Sequence, residues 1–214
     1  MTKRVVELVG IFGVVPPLLA LVPGPVVLPS LALAGVACLV VLLRDPTFSR
    51  RQLWNTTAAR GQLASTLLRV LLAAAGLTVV TMLLAPDALL AFPRDRPWFW
   101  LAVMLLYPLV SVYLQEVIFR AFFFHRYGAL FASDRGRVLA SAALFAFAHI
   151  VMRNVPALLL TFVGGLMFAG VYARTRSLAL ACLEHAVLGD FVFTIGLGTF
   201  FFDGARSLSG PLRF

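Results

Sequence analysis

The chain has 214 residues, 61% of them apolar and only 13% charged, with a formal net charge of +9 and a mean hydropathy of +0.97. Ordinary soluble domains are roughly 45–50% apolar and about 25% charged, so one aqueous core cannot absorb this surplus. The composition excludes a soluble enzyme, a disordered chain and a disulfide-stapled secreted domain, and it leaves a polytopic membrane protein.

In chain order, seven apolar stretches are long enough, or nearly so, to cross about 30 Å of hydrocarbon as helices: 5–22, 26–43, 67–85, 98–125, 138–152, 156–173 and 178–201. Their continuous apolarity, without barrel-type alternation, predicts an all-α polytopic transmembrane helical bundle of about seven membrane helices. The first stretch carries Pro16-Pro17, which predicts a kink or break there. It follows Lys3-Arg4 but is too long for a signal peptide and lacks a small-residue cleavage site, so it is expected to be retained.

The polar segment 44–66 divides an N-terminal helix pair with its cytoplasmic linker (1–66) from a membrane-embedded bundle (67–214) whose candidate chemistry lies in 98–201. With the N-terminus inside, thirteen basic residues fall on the cytoplasmic side and five, including Arg206 and Arg213, on the other. That asymmetry predicts a cytoplasmic N-terminus in an integral membrane protein, with a bacterial inner membrane as the expected location. Trp98, Trp100 and Tyr127 fall where interfacial aromatics sit. Lys3 is the sole lysine, and the arginines stand at the ends of apolar runs, so the positive charge marks membrane flanks and not nucleic-acid binding. Cys38 and Cys182 lie inside apolar stretches and read as packing residues.

Ionisable side chains inside a span each need a reason. They are Glu7, Glu116, Arg120, His149, Glu184, His185 and Asp190. Glu7 is near a helix start and reads as interfacial. At about 1.5 Å per residue from the flanking arginines, Glu116 is about 15 Å deep, His149 about 18 Å and His185 about 14 Å. An acid and two imidazoles at one level on three helices predict a shared polar pocket. Glu116 and Arg120 at i, i+4 can pair on one face, as can Phe145 and His149. Gln115 points into the same cavity or toward a neighbouring helix.

Taken singly, these residues have plain structural readings: a buried ion pair, core histidines, Glu184 paired with an arginine, and Asp190 bonded locally. Gathered, a carboxylate and an imidazole can activate water against a peptide carbonyl while a second imidazole steadies the oxyanion. No nucleophile elbow favours a serine mechanism, and the His-Glu-x-x-His zinc helix is absent. No cofactor is required, although the ligand types of Glu116, His149 and His185 are compatible with zinc.

The segments Gln115-Glu116-Val117-Ile118-Phe119-Arg120, Phe145-Ala146-Phe147-Ala148-His149 and His185-Ala186-Val187-Leu188-Gly189-Asp190 resemble the three motifs of the CAAX protease and bacteriocin-processing (CPBP, or Abi) intramembrane endopeptidases. Those motifs are Glu-Glu-x-x-x-Arg, Phe-x-x-x-His and His-x-x-x-Asn. The resemblance implies proteolysis of a membrane-anchored protein or peptide in the lipid bilayer. Water would be activated by a motif-one glutamate and His149, and the oxyanion held by His185 and the motif-three asparagine. Glu116, Arg120, His149 and His185 land on motif positions. Gln115 replaces the first glutamate and Gly189 the asparagine, as in a bacterial subgroup with Gln-Glu in motif one.

Three readings follow from these departures. Glu116 serves as the base, with Asp190 or a backbone amide replacing the asparagine. Alternatively, Glu184 supplies the second carboxylate. In the third, the protein is a non-catalytic relative that binds a partner helix or conveys protons. The first is the favoured expectation.

Overall fold

The computed structural model describes residues 2–22 and 25–201. All regular structure among the described residues is helical, the form in which a backbone satisfies its own polar groups within hydrocarbon. The chain runs through α1 (Thr2–Leu8), α2 (Val15–Leu21), α3 (Val27–Arg44), α4 (Thr56–Leu84), α5 (Ala91–Asp95) and α6 (Pro97–Tyr107). It continues through α7 (Tyr113–Glu116), α8 (Phe123–Tyr127), α9 (Asp134–Ala148), α10 (Val155–Thr175) and α11 (Leu178–Thr194). Six continuous helical stretches among the described residues have the length and apolarity of membrane spans: Thr2–Leu21, Val27–Arg44, Arg50–Leu84, Pro97–Leu130, Asp134–Met152 and Val155–Thr175. The seventh expected crossing stops short of residue 201. Its helix α11 has 17 residues and so measures about 25 Å. It is closed by Gly196 at φ +96°, a left-handed conformation that ends the helix.

Prolines accompany two of the three wide turns. A wide π-helical turn, Val9–Val14, precedes Pro16-Pro17 at the start of α2, where the missing proline N–H groups interrupt the ladder. The same device recurs at Pro108–Val112, and a further wide turn follows at Val117–Phe122. These turns join α6, α7 and α8 into one crossing, Pro97–Leu130. Side-chain caps start the last three helices. Ser133 accepts from the Gly136 N–H at 3.1 Å, Asn154 from Ala157 at 2.9 Å and Ser177 from Leu180 at 3.4 Å.

Within segment 44–66, α4 begins at Thr56 and runs on into the apolar residues. Thr56–Thr66 are polar for a membrane span, yet α4 continues through them without a break. Tyr127, expected among the interfacial aromatics, does not present its ring to the outside of the bundle. It is completely buried, and its hydroxyl donates to Glu7 Oε1 at 2.9 Å. Glu7 also receives Arg126 Nη2 at 2.8 Å, so the first helix is tied to the α8 end of the central crossing. Phe12 adds edge-on contacts with Phe119, Phe123 and Tyr127 at centroid distances of 5.5, 6.0 and 6.0 Å. Arg206 and Arg213, counted toward the orientation, lie outside the described residues.

In the loop after α3, the Thr47 amide and hydroxyl donate to Asp45 Oδ1 at 2.8 and 2.6 Å, and His125 Nε2 donates to Oδ2 at 2.8 Å. These donors, Thr47 first, hold the Asp45 carboxyl well below the ordinary carboxylate range.

Helices α9 and α10 pack at backbone distance. A Cβ on Gly165 would sit 3.0 Å from Ala142 Cα, which is the close approach that small residues permit in membranes. Gly165→Leu should cost about 1–3 kcal/mol by overpacking, read as a lower thermal midpoint in detergent. Gly76→Leu, on an open face of α4, should leave the midpoint nearly unchanged.

Candidate functional site

The central crossing brings Gln115, Glu116 and Arg120 to the middle of the bundle, where Glu116 and Arg120 have no exposed surface. An unpaired carboxylate there would cost several kcal/mol in desolvation. Glu116 avoids this with two partners. Its Oε1 lies 2.8 Å from His185 Nδ1 on α11, and its Oε2 lies 3.1 Å from Arg120 Nε. The second contact is an ion pair by distance, without hydrogen-bond alignment. Arg120 Nη1 donates to Ser141 Oγ on α9 at 3.1 Å, and Ser141 passes its own hydrogen to the Phe119 carbonyl at 2.7 Å. The guanidinium carbon sits 4.8 Å from the Phe145 ring centroid and 5.8 Å from that of Phe168, so cation–π attraction supplements the ion pair.

An ionised carboxylate only accepts, so His185 Nδ1 carries the hydrogen it gives Glu116. Its other nitrogen, Nε2, lies 3.1 Å from the Tyr107 hydroxyl at the end of α6. The ring is stacked on Phe168 at 4.4 Å with a 14° interplanar angle, and Phe145 meets it edge-on at 5.5 Å. Position, tautomer and plane are therefore all fixed.

His149 stands at the C-terminal end of α9, where the helix passes into a tight turn, His149–Met152. Its Nδ1–H donates to the Phe145 carbonyl one turn back at 2.7 Å, which leaves Nε2 with a free lone pair. The Phe145 ring touches His149 at 4.7 Å, His185 at 5.5 Å and the Arg120 guanidinium at 4.8 Å. Phe145 is thus the common wall of the site.

The remaining sequence candidates are placed differently. Gln115 is turned within its own crossing, donating to Ser111 Oγ at 2.7 Å, while its Oε1 is buried without a partner. Glu184, adjacent to His185 in sequence, faces α4 and pairs with Arg69 at 3.1 Å. It does not join the Glu116 cluster. Asp190 takes the Thr194 hydroxyl on its backbone carbonyl at 2.7 Å, and its buried Oδ1 has no partner. Among the described residues no three His, Cys, Asp or Glu side chains form a metal-ligating group. At Glu116 the carboxylate oxygens face an imidazole and a guanidinium, and the fixed cation leaves little attraction for a second one.

Tyr107, Ser141 and Phe168 were missed by sequence reasoning. Tyr107 could have been found, since a tyrosine next to a helix-breaking proline in an apolar span needs a hydroxyl partner. Ser141 and Phe168 carry no such signal: a hydroxyl bonded to a carbonyl and a phenyl ring are ordinary in membrane helices.

No curated protein and no solved structure matches the chain. Residues 96–189, a little under half of its length, match the family model described as "Type II CAAX prenyl endopeptidase Rce1-like". That segment, which is similar to the Rce1-like CAAX-type membrane proteases of the CPBP family, contains Tyr107, Glu116, Arg120, Phe145, His149, Phe168 and His185.

Proposed function

We propose that the chain is an intramembrane endopeptidase that hydrolyses a peptide bond of a membrane-associated protein or peptide through an activated water. The reading rests above all on one contact, the buried 2.8 Å pairing of Glu116 with His185, with His149 beside it across the shared Phe145 wall. His149 is the base, because its Nδ1–H is committed to a carbonyl and its Nε2 is open. Water oxygen bonds to the scissile carbonyl carbon while its proton passes to His149 Nε2. The tetrahedral oxyanion forms on the His185 side. The C–N bond then breaks, and His149 returns the proton to the departing amine, giving a carboxylic acid and an amine.

Glu116 orients His185, in the manner of the acid in a catalytic triad, and Arg120 balances its charge. This divides the water-activating role expected of Glu116 and His149: the imidazole takes the proton, and the carboxylate sets the geometry. The asymmetry of basic residues supports a cytoplasmic N-terminus, and a bacterial inner membrane is the proposed location. The CAAX prenyl endopeptidase description of the matching family makes a farnesylated peptide ending in a CAAX sequence the first substrate to try.

A quenched fluorescent peptide of that kind, with an unprenylated control, tests the reading on protein purified in detergent. Glu116→Gln and His149→Ala should each lower kcat/KM at least about 100-fold, the smaller end of general acid–base contributions. Cleavage undiminished in both variants overturns the assignment. Arg120→Met should destabilise the fold by about 3–5 kcal/mol, because it leaves the Glu116 charge buried without its partner. The thermal midpoint reads that loss independently of activity.

A further inference from the structure

The missing side chain at position 189 has a structural counterpart. A Cβ built on Gly189 would lie 2.5 Å from both Cε1 and the hydroxyl oxygen of Tyr107, and 2.8 Å from its Cζ. The space that a residue at 189 would use is therefore filled by a tyrosine from another helix, α6. The ring is held there by Phe193, which meets it edge-on at 5.2 Å, and its hydroxyl ends 3.1 Å from His185 Nε2.

Register explains how Tyr107 comes to share His185 with Glu116. Nine residues of uninterrupted α-helix would turn them about 180° apart. The wide turn at Pro108–Val112 changes the winding between them, and both side chains end on opposite nitrogens of one imidazole.

The chemistry of that position is specific. With its hydrogen on Nδ1 and committed to Glu116, neutral His185 offers only a lone pair at Nε2. It cannot donate to an oxyanion through that atom. The Tyr107 O–H, which gives its hydrogen to Nε2 at rest, is the donor at this edge of the ring. A developing oxyanion is a stronger acceptor than a neutral imidazole.

Building on the protease reading above, we infer that Tyr107 is the oxyanion-stabilising donor, taking the place of a side chain at 189, and that Gly189 is required to leave it room. On substrate binding the O–H turns from Nε2 to the scissile carbonyl oxygen. No bond to Tyr107 forms or breaks in the hydrolysis.

The test compares wild type, Tyr107→Phe and Gly189→Ala with the farnesylated fluorescent peptide, together with thermal midpoints in detergent. Tyr107→Phe keeps the ring and removes the hydroxyl. It should lower kcat by about 10²–10³-fold, as loss of one oxyanion donor does, with KM within about threefold and a midpoint lowered by the loss of one buried hydrogen bond while the protein stays folded. Gly189→Ala keeps the hydroxyl but displaces it, and it should lower kcat in the same way even if Tyr107→Phe fails to fold. A kcat within about threefold of wild type in either folded variant overturns the inference while leaving the protease reading intact. A wild-type protein that releases no product fails at the level of the protease reading itself.

Discussion

The constraint on which this architecture depends is the burial of one carboxylate. Glu116 has no exposed surface, and such a charge persists in an apolar interior only if its surroundings repay the lost hydration. Arg120 supplies counter-charge from the next turn, and His185 supplies a hydrogen bond from another helix. Each partner then needs support of its own. Arg120 passes a hydrogen to Ser141, which passes one to the Phe119 carbonyl inside the wide turn. His185 is gripped by Tyr107 and Phe168. One buried acid thereby fixes the mutual positions of the central crossing, α9, α10 and α11.

The departures from regular helix serve the same purpose. A straight α-helix repeats its faces every 3.6 residues, which restricts the side chains that one crossing can deliver to one point. The wide turns at Pro108–Val112 and Val117–Phe122 lie on either side of Glu116 and alter that repeat just where Tyr107, Glu116 and Arg120 are delivered. Wide turns of this kind recur at functional positions in helices, and a span satisfies their backbone through neighbouring side chains, as Ser141 does here.

This division between regular and irregular winding also decides what the amino-acid sequence reveals. The all-helical class follows from composition, and the convergence of Glu116 and His185 from the cost of polar groups in hydrocarbon, an argument that needs no coordinates. The Glu116–Arg120 contact is a simple i, i+4 relation. The Tyr107 contact is hidden because it runs through an altered repeat, so spacing arithmetic points away from it. Depth counting from Arg137 runs along regular helix as far as Ala148, but it carries no sign that the helix tightens at His149 itself. Adjacency misleads at Glu184. It follows a neighbour into the sequence pattern, but successive helical residues face different directions, and it turns to Arg69.

Two histidines of identical chemistry are held differently because their Nδ1 partners differ. His149 gives its hydrogen to a neutral carbonyl of its own helix, at 2.7 Å, while His185 gives its hydrogen to a carboxylate 2.8 Å away. A carbonyl fixes the tautomer without adding charge. A carboxylate fixes the tautomer and sets a negative charge beside the ring, the relation by which an acid orients a catalytic imidazole. His149 consequently keeps a lone pair at Nε2, whereas His185 already has a hydroxyl at Nε2. Phe145 touches both rings, and its carbonyl is the one that orients His149. The Phe-x-x-x-His spacing is therefore a single device: one residue supplies a ring that meets both imidazoles and the acceptor that fixes which nitrogen of His149 carries the hydrogen.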